Sequence, residues 1–154
     1  MYKAAYINLI ITVGLVILAH LGFGIANAYV ASQTTTAKGE CGAAIWYCVM
    51  VLSIVHFLAF VFGLCEGILN SAKEEDKKSS SNAFSFVVIG INIWACVAYF
   101  DASNDCSTFY KDNFGMLWNM LLANVIHFFV SLGMIFWICC SSACLIYAQR
   151  DSIV

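Results

Sequence analysis

The amino-acid sequence predicts an all-α protein, a bundle of four transmembrane helices with both termini on the cytoplasmic side. Three observations predict it. The composition is too apolar for a water-facing surface, four apolar runs approach span length, and polar residues recur at helical spacing within each run. The 154-residue chain is 62% hydrophobic and 10% charged, with a mean hydropathy of +0.87. A soluble domain carries roughly 25% charged residues. A hydrocarbon core roughly 30 Å thick needs about 20 apolar residues per crossing helix. Short polar stretches alone separate the four runs, so residues 1–154 are expected to form one membrane domain. The chain has no proline, and nothing in it forces a helix to kink.

The first span is expected from about Ala5 to Val30. Its opening Met1-Tyr2-Lys3 and the later Ala26-Asn27-Ala28 look superficially like a signal peptide. The apolar stretch exceeds the roughly 7–15 residues of a signal core, so it reads as an uncleaved first helix. Polar residues Ala31 to Glu40 lead into a second span, from about Cys41 to Leu69. The charge-dense segment Ser71 to Asn82 follows. A third span covers Ala83 to Phe100, a loop covers Asp101 to Asn113, and a fourth span runs from about Phe114 to Tyr147. Lys3, Lys73, Lys77, Lys78 and Arg150 then share one side, against Lys38 and Lys111 on the other. Basic residues concentrate on the cytoplasmic side of membrane proteins, which puts both termini and the 71–82 segment inside. The net charge of −2 and the lack of a basic stripe exclude nucleic acid as a partner.

The eight cysteines divide by depth. Cys41 and Cys106 belong to the two outer loops, where a disulfide between them would tie the loops together. Cys48 is the alternative partner of Cys106. Cys41 and Cys48 would stand about 10 Å apart on an unbroken helix, too far for a bond with each other. Cys139, Cys140 and Cys144 cluster near the inner end of the fourth span, as juxtamembrane palmitoylation sites do; as small hydrophobes they also suit an apolar helix. No Cys-x-x-Cys pair supports a redox or zinc site.

Each span carries one polar stripe: Thr12, His20 and Asn27; Ser53 and His56; Ser85 and Asn92; Asn124, His127 and Ser131. Polar side chains are costly against lipid, so these faces should turn inward and hydrogen-bond there. His20, His56 and His127 fall at similar depth, roughly 15–21 Å below the outer surface at 1.5 Å per residue. Such a layer could ligate haem or a metal or relay protons. It could equally be a structural layer of neutral imidazoles bonded to Asn92 or Asn124. Glu66, near an inner helix end, either snorkels or lines an ion path. Ala59, Gly63, Gly67 and Ser71 form a small-residue ladder that lets helix backbones approach closely. Tyr and Trp residues near the helix ends, among them Trp46, Tyr110 and Trp118, read as an interfacial belt. Ser152-Ile153-Val154 matches a carboxyl terminus of the kind PDZ domains bind by strand addition.

In this architecture of inside termini, two outer loops bearing cysteines and polar residues within the spans, the chain resembles the small tetraspan membrane proteins: the MARVEL-domain, claudin-like and tetraspanin-like families. The tetraspanin Cys-Cys-Gly is absent, since Cys139-Cys140 is followed by Ser141. The claudin first-loop Trp…Gly-Leu-Trp…Cys…Cys is absent too, so no functional residue carries over.

With no catalytic motif, the chain is expected to be non-enzymatic: a structural or scaffolding subunit of a larger membrane assembly. The membrane would be cellular (secretory pathway or plasma membrane) or viral. Expected partners are membrane lipids, other membrane or capsid subunits, and a second copy of the chain. Two other readings use the same residues: a haem- or metal-binding redox subunit built on the histidines, and a small channel or transporter subunit lined by Glu66 and the asparagines. No cofactor motif accompanies the histidines, so no cofactor is expected. The charge count yields a direct test. In a cysteine-labelling map of the intact membrane, probes placed between Lys73 and Asn82 should react from the same side as probes at both termini. Labelling from the opposite side would remove the four-span topology.

Overall fold

The computed structural model describes residues 2–42, 44–72 and 80–150, all helical apart from turns. Helix α1 spans Tyr2–Gln33, α2 Ile45–Ala72, α3 Ser80–Phe100, α4 Asn104–Asn113 and α5 Gly115–Arg150. The expected second span began at Cys41, but α2 starts at Ile45. Between α1 and α2 the backbone makes two 3-10 turns, Thr35–Ala37 and Glu40–Gly42, and enters the left-handed region at Gly39 (φ 76°) and Cys41 (φ 56°). A helix cannot pass through such residues.

The expected loop 101–113 is mostly the short helix α4. Its start is a local signal: the Ser103 hydroxyl accepts from the Cys106 backbone N–H at 3.3 Å, satisfying one of the orphan donors of the first turn. Asp105 in the first turn and Lys111 in the last complement the helix dipole.

Three helical stretches, Ile10–Gln33, Ile45–Cys65 and Gly115–Trp137, are each long and apolar enough to cross a membrane. Residues Phe84–Phe100 of α3, taken with α4 across a 97° bend, form a fourth candidate. The four long helices form a ring in the order α1, α2, α3, α5, with α2 and α5 also touching across the diagonal and α4 lying against α5. Outward faces carry large apolar side chains such as Leu15, Leu18, Phe86, Phe136 and Trp137, as lipid contact demands. Lys73 to Ser79 lie outside the described residues, as does the Ser152–Val154 terminus. Nothing is described of the side chains of Glu66, Gly67, Ser71 and Cys144.

The core sits toward the end that carries the loops and α4. There three of the expected belt aromatics, Trp46, Tyr110 and Trp118, are buried as a plug, while Tyr29, Tyr47 and Phe100 of the same belt are exposed. Tyr110 and Trp118 stack with centroids 6.5 Å apart, and Tyr99 lies 4.8 Å from Trp118. The Trp46 indole N–H donates to the Ala31 carbonyl at 2.9 Å. Two lysines of this end cover the plug, Lys38 Nζ 4.3 Å from the Trp46 ring and Lys111 Nζ 5.5 Å from that of Trp118. Cation–π attraction of this kind needs the ring face, which helix packing supplies.

Part of the small-residue ladder meets α1. A methyl group on Gly63 would stand 3.0 Å from Ile17 Cγ1, and Ala59 is half-buried nearby in sequence. A second close approach is at Gly24 of α1, which heads a small-residue series with Ala28 and Ser32. A methyl group there would stand 3.2 Å from the Phe57 ring, and the Gly24 carbonyl accepts from the Ser53 hydroxyl at 2.9 Å. Gly24→Val is therefore expected to force α1 and α2 apart and to cost about 1–3 kcal/mol. Gly22→Ala, where nothing lies within 4 Å, should be neutral or slightly stabilising; thermal unfolding in detergent measures both.

Candidate functional site

The polar stripes converge on one interior layer built by α1, α2 and α5. Asn27, His56 and Asn124 are almost wholly buried, at 0%, 2% and 0% exposure. Asn27 Nδ2 donates to Asn124 Oδ1 at 3.0 Å, and Asn124 Nδ2 donates back to Asn27 Oδ1 at 2.7 Å. The second hydrogen of each amide goes to a carbonyl one turn back on its own helix: Phe23 O at 2.8 Å for Asn27 and Met120 O at 2.7 Å for Asn124. This pairing assigns both amides, because a flip of either would set oxygen against oxygen.

The amide assignment carries through to the histidines. His56 Nε2 lies 3.0 Å from Asn124 Oδ1, an acceptor, so that nitrogen bears a hydrogen. Neutral His56 then presents a lone pair at Nδ1, which lies 2.9 Å from His20 Nδ1. His20 must donate there. The chain His20→His56→Asn124 is thus polarised in one direction, and neighbouring hydrogen bonds of that kind strengthen one another.

His127 completes the layer through ring contacts. The three imidazole centroids lie 5.1, 5.3 and 5.1 Å apart for His20–His56, His20–His127 and His56–His127. Phe23 wedges against two of them, 4.3 Å from His127 and 5.4 Å from His56. The equal depth expected of the histidines is therefore a contact. Asn92, the other expected acceptor, is buried but donates to Val88 O of its own helix at 2.8 Å. Below the layer, a partly open groove of about 170 Å³ runs between α1 and α5, with His20 and Ser131 as its polar wall beside Val13, Ile17 and Met134.

Comparison with known proteins finds no matching family model, no matching curated protein and no matching solved structure. Geometry alone must say what this layer does.

Haem ligation by two histidines places nitrogens on opposite faces of a macrocycle, and the direct 2.9 Å contact between His20 and His56 leaves no such gap. Among the described residues no group of three or more His, Cys, Asp or Glu side chains is arranged to hold a metal ion. A proton relay would have to pass the Asn27–Asn124 pair, whose amide hydrogens are all committed and which does not ionise at neutral pH. Among the described residues no buried side-chain nitrogen or oxygen lacks a hydrogen-bond partner. The Asn27–Asn124–His56 part of the layer is fully satisfied, while His20 also faces the groove between α1 and α5.

Cys41 lies at the surface and Cys106 is buried, both as free thiols in this structure. Cys48, the alternative partner, is fully buried in α2 and has Cys96 of α3 as its cysteine neighbour. Cys139 and Cys140 are exposed on α5, accessible to acylation and to lipid alike. Sequence reasoning missed Gly24, and it named Tyr110 as an interfacial aromatic without its bonds to the Ala37 and Glu40 carbonyls.

Asn124 is the hinge of the network. Asn124→Ala leaves both His56 and Asn27 without their partner, and its expected cost is about 1–3 kcal/mol. His127→Asn, which removes ring contacts only, should cost less than about 1 kcal/mol. A double-mutant cycle on Asn27 and Asn124, read by unfolding in detergent, should give coupling of roughly 0.6–1.7 kcal/mol. Additive losses would mean the amides do not pair.

Proposed function

We propose that this chain is a non-enzymatic, structural tetraspan subunit that packs within a larger membrane protein assembly. Four crossings with cytoplasmic termini are part of the reading; the charge distribution supports the sidedness, and the ring of four long helices supports the count. One observation carries the functional reading, the packed interior. From the Tyr110–Trp118 plug, through the fully buried Leu52, Leu117 and Leu121, to the Asn27–Asn124–His56 network, the bundle centre is filled with side chains that satisfy one another. Such a centre favours packing over transport, and the groove beside His20 is walled mainly by apolar side chains. What remains to interact is the outer surface, where apolar side chains on every long helix suit lipid and other membrane helices.

One observation favours a second reading, a metal-binding subunit. Three imidazoles around a single ion, with nitrogen–metal bonds of roughly 2.0–2.1 Å, would have centroids about 5.2 Å apart, close to the spacing found. The direction of the nitrogens opposes it, because His56 spends one on Asn124 and the other on His20.

Three measurements on protein from native membranes separate these readings. The structural reading expects a stoichiometric complex well above the 16.9 kDa of the chain on a native gel. It expects no ion flux into proteoliposomes above empty vesicles, and no bound metal or visible absorption. A monomer that conducts ions, or a sample with one metal or haem per chain, would replace it.

A further inference from the structure

The loop before α2 enters left-handed backbone twice, at Gly39 and at Cys41. Glycine does so freely, but a side chain at Cys41 makes the conformation sterically unfavourable, and it persists only where the surroundings hold it. The surroundings here are α4. The Tyr110 hydroxyl lies 3.1 Å from the Glu40 carbonyl and 3.3 Å from the Ala37 carbonyl, so it clasps the residues just before Cys41. One turn earlier on α4, the Ser103 hydroxyl caps the helix at the Cys106 backbone N–H. Tyr110 stands one turn beyond Cys106, so its bonds to the Ala37 and Glu40 carbonyls hold the Cys41 loop against α4, although Cys41 and Cys106 lie 65 positions apart in the sequence. A buried tyrosine, a capped helix start and a left-handed cysteine thus combine to bring the two cysteine positions together.

We propose that Cys41 and Cys106 are joined in the mature protein by a disulfide, formed by exchange with an external disulfide of an oxidising, extracytoplasmic compartment. The surface thiol of Cys41 is the entry point. As thiolate it attacks the external disulfide and expels one thiol, leaving a mixed disulfide on Cys41. Cys106, giving up its proton to solvent, then attacks the Cys41 sulfur and expels the second thiol. Two protein thiols are oxidised and one external disulfide is reduced to two thiols, so the electrons balance.

The two cysteines differ in a way that stabilises the product. Burial, and then the neighbouring Cys41 thiol, push the Cys106 thiol up to about 11. A reductant reaching the exposed Cys41 sulfur must expel Cys106 as a poor leaving group, so reduction of the folded protein should be slow. The bond would also place the loop end of the bundle outside the cytoplasm, the sidedness that the lysine and arginine count gives independently. Disulfide formation does not depend on whether the chain joins a larger assembly.

The test uses full-length protein in its native membrane, alkylated with N-ethylmaleimide before lysis and digested without reductant. Mass spectrometry should find the Cys41 and Cys106 peptides linked, two hydrogens lighter than their sum, with Cys48 unlinked to either. Dithiothreitol should reduce the bond many-fold faster in denatured than in folded protein. Cys41→Ser and Cys106→Ser should each lower Tm by several degrees, and the double variant should fall no further than either single one. Alkylated Cys41 and Cys106 in the freshly quenched sample would overturn the proposal, as would a Cys48–Cys106 link. The peptide map is made on wild-type protein, so it decides even where a serine variant fails to fold.

Discussion

The reciprocal amide pair between Asn27 and Asn124 is the interaction on which the bundle depends. In a hydrocarbon environment an amide without a partner costs several kcal/mol, and helix association there gains little from apolar contact, because lipid is as apolar as leucine. Register between α1 and α5 must therefore come from polar groups. Sliding either helix by one residue would turn its asparagine away and break both inter-helix amide bonds at once. His56 extends the same constraint to α2, so a single node sets the relative height and rotation of three helices.

α3 is held differently. Its buried Asn92 is satisfied within its own helix, and it meets its neighbours through Ala95 and the aromatic contact of Tyr99 with Trp118. The short segment of α3 that is apolar enough to lie in a membrane ends at the 97° bend into α4, where the plug begins. The position of α3 is thus dictated from the outer end, by the packing of α4 and Trp118, more than from the polar layer.

These two modes of attachment explain what could be read in the sequence and what could not. Membrane character was legible in composition, and the inward faces were legible because Asn27, His56 and Asn124 recur at helical spacing in otherwise apolar runs. The similar depth of the histidines was legible; that their rings touch was not. The identity of the acceptor did not, because the choice between Asn92 and Asn124 depends on helix rotation, which no one-dimensional pattern encodes. The burial of Trp46, Tyr110 and Trp118 was not legible for a physical reason: an aromatic near a helix end suits an interface whether its ring turns outward or into a plug. The start of α2 was placed four residues early because Cys41 continues the apolar run, while the left-handed backbone that breaks it comes from contacts with α4.

The polar cross-links among the described residues are also unevenly distributed along the bundle. The Ser53–Gly24, Trp46–Ala31 and Tyr110–loop bonds lie from the histidine layer outward, together with both lysine–tryptophan contacts. On the other side of the layer, the described contacts between helices are apolar, such as Ile17 against Gly63 and Phe62 against Phe84 with centroids 4.6 Å apart. Apolar contact in a bilayer hardly distinguishes a helix of the same chain from lipid or from a partner's helix. The loop end is therefore the part that specifies this chain's own fold, while past the layer the described outward faces of α1, α2 and α5 are apolar and add little to its register.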